Sequence, residues 1–391
     1  MFKTIFHFIM EGVRLLTNES GQIPSALTDN YDALLSTTLR AYRTKLADNI
    51  TKGNKFVSFL KDKGRFRKQS GGERVAVPLM HAQNATADIY SGYGVLDTTP
   101  QDGITTAFYT WSQLSVSIAI SGLEKKQNKG EAKILDLLKV KTDQAEVSLK
   151  ELLNNCLVAG RLTTTAGSDQ IRQRIGRLDS GATGPNPLGH LIDLTASRSV
   201  AVGNINGNTY PFWRNQSVSS SASSFVGLKN EMNRTYDNCA KGTGGVPDLL
   251  LGDQIAWETY WLALEAREQY MISDKRTIDI LGGTDALKFR GATFFWDEVV
   301  PDPETPYNPV DAAGTAGLQH GGSATASTIY FVNTDTFDFI VESDTDFATT
   351  PFMRPENQDA SVAQIMWMGQ VGVNNRRKNG ILYGISQSIT S

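Results

Sequence analysis

The sequence predicts an α+β chain whose N- and C-terminal halves close one domain around an inserted lobe. Three observations carry that reading. One stretch, Glu131–Ala159, runs about 29 residues without Gly or Pro, enough for a helix of roughly 43 Å at 1.5 Å per residue. Strand-like segments lie on both sides of it in sequence, and helices alternate with strands in the region between.

The long helix declares itself by spacing. Ile134, Leu138, Ala145, Leu149, Leu152 and Cys156 recur at three- and four-residue steps, and Leu135, Leu153 and Leu157 widen the stripe. Lys133, Lys139, Lys141, Asp143, Glu146, Lys150 and Glu151 supply the opposite, solvated face. Composition fits a globular protein: 391 residues, 40% hydrophobic, 20% charged, with a formal net charge of −3. That balance excludes the broad basic field of a dedicated nucleic-acid binder. Two cysteines, Cys156 and Cys239, make neither a disulfide framework nor a metal cluster and read as buried thiols.

In chain order, Met1–Leu16 crowds Phe2, Ile5, Phe6, Phe8, Ile9 and Met10 together. The run is too short to span a bilayer, Glu11 and Arg14 interrupt it, and no small-residue cleavage pattern follows. It is expected to be an apolar arm docking on a partner surface, not a membrane anchor. Thr28-Asp29 can cap a helix carrying Tyr31, Leu35, Leu39, Tyr42, Leu46 and Ile50, ended by Gly53-Asn54. A basic run follows (Lys61, Lys63, Arg65, Arg67, Lys68), read as a solvated or subunit-facing patch, with nucleic acid as the alternative.

Val75, Val77 and Leu79 alternate with polar or small residues, as do Phe108, Leu114, Val116, Ile118 and Ile120, so two strands are expected. Pro78 confines its strand to an edge or a bend. The connection Ala82–Thr106, with Tyr90, Tyr93 and Leu96, makes this a long hairpin with an elaborate tip, and such a ribbon is most comfortable lying across a neighbour. Gly71, Gly72 and Gly122 at its base suit hinging.

Past the long helix, Gly176–Pro187 is turn-like. Ser217–Ser224 leads into a helix carrying Phe225, Leu228, Met232 and Tyr236, closed by Gly242–Gly245. Val246–Leu251 is a short buried strand, and Asp253 caps the next helix. Thr293–Val300 is a β segment, Pro301–Thr328 a surface insertion, and Ile329–Asn333, Phe337–Val341, Ala360–Val373 and Ile381–Ile385 are strands expected to cover the long helix. Asn374–Gly380 is a basic turn holding Arg376-Arg377-Lys378, open to two readings: a subunit or nucleic-acid contact, or a solvated hairpin turn.

Catalytic patterns are missing from the sequence: G-x-x-x-x-G-K-[ST], H-E-x-x-H, C-x-x-C and G-x-S-x-G do not occur. His7, His81, His190 and His320 have no partner at ligand spacing. Asp297/Glu298 would point to opposite strand faces, and Asp344/Asp346 sit in an acidic turn. The scattered tryptophans read as core or interface anchors. No catalytic, metal or cofactor site is therefore expected.

Pro351–Ala360, Gln364–Gly369 and Asn374–Arg377 resemble the C-terminal part of tailed-bacteriophage major capsid proteins, and Tyr210–Asn215 and Pro247–Leu250 ahead of Asp253-Gln254 resemble their middle. The order of elements is similar to the Hong Kong 97-like fold. The resemblance implies an N-arm with an N-terminal helix (1–70), an E-loop hairpin (71–124), a peripheral (P) domain with its spine helix (125–186) and an axial (A) domain (187–328, insertion at about 301–328). P-domain return strands (329–391) follow. It implies a subunit of an icosahedral shell enclosing double-stranded DNA, assembled in a bacterial host's cytoplasm and located in the virion. Its partners would be copies of itself in pentamers and hexamers, a separate scaffolding protein, a portal, a possible decoration protein and DNA touched nonspecifically. Lysine is scarce in the hairpin, so the Lys–Asn cross-link of some relatives is not carried over.

The inter-subunit contact candidates are Phe2, Phe6 and Phe8 in the arm, Tyr90 and Tyr93 in the hairpin, and Arg65 and Arg67 in the basic run. Trp213 and Arg214 in the lobe, and Arg376 and Arg377 in the last turn, complete the set. Two alternatives are carried: an encapsulin-type nanocompartment, which uses the same fold around a cargo enzyme, and an α/β hydrolase-like enzyme.

Overall fold

The structure, a computed structural model, describes residues 54–82, 84–100, 102–127, 131–159, 184–194, 201–242, 244–265, 287–300, 326–386 and 389. The expected N-arm, the helix after it and most of the 301–328 insertion lie outside the described residues, as do Phe2, Phe6 and Phe8. Two compact units form. One draws on Ser115–Ser148 and Phe347–Met366; the other draws on Asn49–Leu114, Leu149–Asp346 and Trp367–Ser391.

The larger unit opens with a helix absent from the sequence reading, Lys55–Asp62. Asn54, expected to end a helix, starts this one: its Oδ1 accepts the Val57 amide at 2.9 Å. Phe56, Val57, Phe59 and Leu60 bury its apolar face, and Phe56 meets the Phe337 ring edge-on. Strand β1 (Phe66–Gln69) then pairs in parallel with β12 (Phe337–Glu342), which pairs antiparallel with residues 369–373 of β14 (Ala360–Val373).

The predicted hairpin is present, with one correction. β2 (Arg74–Met80) pairs with β3 (Ile104–Thr110), Pro78 facing Thr106 in a two-stranded ribbon where both strands are edges. The expected second strand does not run on to Ile120. It breaks at Trp111, whose indole N–H bonds the Gly72 carbonyl at 2.8 Å, and the chain re-enters as β4 (Ser112–Ser121), which pairs with β14.

The lobe is a six-stranded sheet ordered β7-β15-β11-β8-β10-β9. These strands are Gln216–Ser219, Gly380–Ser386, Ala326–Val332, Leu249–Gly252, Ala292–Trp296 and Leu287–Phe289. The Phe225–Ala240 and Gln254–Glu265 helices contribute Leu228, Met232, Tyr236, Ala256 and Tyr260 to one core with Leu250, Phe294, Ile329, Phe331 and Leu382. Their caps are the expected ones: Ser224 Oγ accepts from Gly227 N and Asp253 Oδ1 from Ala256 N. The serine run is tied down by Glu231, which accepts from Ser220 Oγ and Ser221 N. The return strands, expected together, are divided. β11 and β15 are hydrogen-bonded into the lobe sheet, whereas β12 and β14 pair elsewhere. β11 also starts at Ala326, inside the span assigned to the insertion.

In the smaller unit, β13 (Ala348–Thr349) pairs with Ile365 and Met366 of β14. Gly122 there is no hinge: its amide bonds Asp359 O at 2.8 Å, and a Cβ on it would strike the Asp359 carboxylate. The long helix is α-helical over Glu131–Asn154 and widens into a π turn at Asn155–Ala159, where two adjacent asparagines are weak helix formers. Among its described side chains, Ala145, Leu149, Leu153, Cys156 and Leu157 are buried, matching that part of the predicted stripe.

Candidate assembly surface

The hairpin has two faces because strand side chains alternate. Val75, Val77, Leu79, Ala107 and Tyr109 are buried on its inner face; Met80, Ile104 and Phe108 stand exposed on the outer one. The inner face is received by the same unit. Phe108 N donates to Gly203 O at 3.0 Å. Gly372 sits so close to Val77 and Tyr109 that a Cβ would lie 3.1 Å from the valine methyl. The Tyr109 hydroxyl donates to Val373 O at 2.9 Å and accepts from Val373 N at 3.2 Å. Burial pushes that phenol up to about 12, although the Val373 bond and nearby Arg376 oppose the shift.

Body contact fades at His81, whose ring lies 5.2 Å from that of Phe212 and whose amide bonds Gly103 O. Beyond it local turns shape the tip. Asn84 Oδ1 accepts from Thr86 N and Oγ1, and Asp97 Oδ1 from Thr99 N and Oγ1. The Thr99 bonds hold the Asp97 carboxyl below its ordinary range. Among the described residues nothing covers the apolar side chains here: Ile89 and Val95 are each 97% exposed, and Tyr93 is fully so, with Tyr90 and Leu96 largely exposed. Such an apolar group is unusual on a monomeric soluble surface.

Tyr90 and Tyr93, contact candidates in the sequence reading, are both exposed in the hairpin connection. Ile89 and Val95 were missed there, because a tip without periodicity gives no face to read. Arg65 and Arg67 are not free for a partner in the way the basic run suggested. Arg65 pairs with Asp335 at 2.6 Å, Arg67 with Asp338 at 3.3 Å, Lys68 with Asp346 at 2.8 Å and Lys63 with Asp248 at 3.2 Å. Arg214 is partly buried and bonds the Gly207 and Asn208 carbonyls.

Trp213 and Arg376 are corrections. Trp213 is 1% exposed, its indole N–H bonding Val202 O at 2.8 Å, so it anchors this chain's own core. Arg376 is 3% exposed and donates to Leu191 O, Trp213 O and Asn215 Oδ1; burial lowers its pKa to about 10, against the pull of Asp193 and Tyr109. Lys378 is also buried, its ammonium bonding the carbonyls of Ala240, Lys241 and Gly242 at the end of the Phe225–Ala240 helix. Of the three basic residues in that turn, Arg377 alone is exposed. Neither reading of the cluster anticipated this: two of the three charges are internal fasteners.

No family model and no curated protein matches the sequence. Among solved structures, the cyanophage A-1(L) capsid asymmetric unit superposes with a TM-score of 0.55 at 14% identity, covering 86% of this chain and 93% of that one. The chain has the Hong Kong 97-like capsid fold. The holo-SrpI encapsulin complex of Synechococcus elongatus PCC 7942 is also similar, with a TM-score of 0.48 at 9% identity over 83% of this chain and 85% of that one. The capsid of Myoviridae phage XM1 gives 0.45 at 11% over 83% and 90%. Among the described residues, no helix is long and apolar enough to cross a membrane.

Proposed function

We propose that this chain is a major capsid protein: a structural subunit that assembles with copies of itself into an icosahedral shell around double-stranded phage DNA. The observation that carries the reading is the bare apolar tip of the β2–β3 hairpin, the E-loop in this reading, on a Hong Kong 97-like fold. Burying three such side chains on a neighbour is worth about 1.5–3 kcal/mol each before ordering costs. Repetition multiplies that gain, since a closed shell reuses one contact at every copy. Pentamers and hexamers are the expected rings, with a scaffolding protein and a portal as further partners, and assembly in the host cytoplasm. Packaged DNA would be touched nonspecifically, and no catalytic role is proposed.

Negative-stain microscopy of the recombinant protein, alone and with its neighbouring gene products, tests this. Closed shells of uniform diameter are expected. A protein that stays monomeric under every condition overturns the reading, and shells that co-purify with an enzyme cargo would assign an encapsulin-type compartment instead.

A further inference from the structure

The root of the E-loop is tied by a closed circuit of contacts. From β3, Phe108 N reaches Gly203 O in the turn between β5 (Ala201–Val202) and β6 (Ile205–Asn206). Gly203 and Asn204 both adopt positive φ, +61° and +65°, the signature of a tight type I′ hairpin turn. From that turn, Val202 O takes the Trp213 indole N–H, and Trp213 O takes a guanidinium N–H of Arg376 at 3.2 Å. Arg376 lies three residues after Val373, and Val373 returns both its backbone groups to the Tyr109 hydroxyl on β3. The circuit thus ends on the strand where it began.

Two features make it a gauge rather than a loose contact. A Cβ on Gly203 would lie 2.8 Å from the Ala107 Cβ and 3.0 Å from the Tyr109 ring, so the turn and the ribbon meet at van der Waals limit. Arg376 spreads its planar fork over Leu191 O at 2.8 Å, Trp213 O and Asn215 Oδ1 at 3.1 Å, fixing three separate segments with one rigid group. Asn215 in turn donates to Asp193 O at 2.6 Å. A second tie, Gln370 Nε2 to Thr110 O at 2.7 Å, holds the end of β3. Buried charge is costly to desolvate, and where it is retained it can specify geometry.

We propose that Tyr109, Gly203 and Arg376 are positioning residues that set the direction in which the E-loop tip leaves the body, and through it the curvature at which copies close. The proposal rests on the shell reading above. β3 spans about 23 Å at 3.3 Å per residue, so a swing of about 10° at the root shifts the tip by about 4 Å, close to one strand spacing. That is enough to misalign a docked side chain. The exposed apolar tip supplies the contact; the buried root supplies its angle.

The test uses the full-length protein: shell diameter is read on unlabelled protein, and the tip-to-body distance on the same variants carrying spin labels at exposed Ser91→Cys and exposed Lys241→Cys; both native cysteines are buried. The parent should give one narrow tip-to-body distance and shells of a single diameter. Tyr109→Phe and Arg376→Lys should each broaden the distance distribution by about 4 Å, the displacement derived above, and yield shells of mixed diameter. Should Arg376→Lys not fold, Tyr109→Phe, which keeps the ring and its volume, carries the test. A variant that melts lower yet keeps the parental distance and diameter overturns the proposal and leaves these residues merely structural. If the parent itself forms no shell, the shell reading falls, and curvature setting falls with it. The distance measurement would then still report whether the root fixes the tip.

Discussion

The two ends of the β2–β3 hairpin obey opposite rules. At the root, alternate side chains are buried, and Tyr109 pairs both backbone groups of Val373. At the tip, apolar side chains stand in solvent, and the backbone is shaped by Asn84 and Asp97 turns a few atoms wide. The root is packed within one chain, whereas the tip's apolar side chains stand uncovered among the described residues. The comparison teaches where stability and assembly part company: changes at the root should cost folding, and changes at the tip should cost association.

The largest effect should come from the tip. Replacing Ile89, Tyr93 and Val95 together with Ser removes about 5 kcal/mol of potential interface burial per contact. It should abolish shells by sedimentation while leaving unfolding within about 0.5 kcal/mol of the parent. At the root the signs reverse. Gly203→Val places a branched side chain at φ +61° against Ala107 and Tyr109 and should destabilise the fold by about 3 kcal/mol in denaturant titrations. Tyr109→Phe leaves the Val373 amide and carbonyl unpaired and should cost about 1–3 kcal/mol by the same measurement.

The smallest effect concerns the β1–β12 pair. Burial raises the Asp338 pKa above its ordinary value, with Arg67 and Arg65 opposing. An acid whose folded pKa is raised binds its proton more tightly in the folded state, so its contribution to stability falls as pH rises from the unfolded pKa through the folded one. Asp338→Asn should flatten that part of the stability–pH curve. If the slope steepens instead, the Arg67 pairing outweighs the burial.

Much of this fold was legible in periodicity. The strand Ala360–Val373, the capped helices after Ser224 and Asp253, and the hairpin itself follow from alternation, spacing and cap residues. What escaped depends on contacts distant in sequence. Nothing local tells Ile329–Val332 and Ile381–Ile385 to join the lobe sheet while Phe337–Val341 pairs elsewhere, because partner choice is a tertiary property. Lys55–Asp62 was hidden beside a conspicuous run of charge, and each side chain of that run for which an ion pair is described meets an aspartate at least 185 residues away. Arg376 and Lys378 misled for the same reason: a basic turn suggests solvent or phosphate, yet their acceptors are this chain's own carbonyls. At the candidate surface, the two tyrosines could be singled out as aromatics in a long connection, whereas Ile89 and Val95 could be separated from core residues only by seeing them uncovered.

The tip's partner can be caught directly by placing a photo-cross-linking side chain, p-benzoylphenylalanine, at Tyr93 and irradiating assembled particles. A ladder of covalent multimers, with the cross-link mapped to a different copy of the chain, is the predicted result. Cross-links confined to single chains would contradict it, because the tip would then find its cover at home.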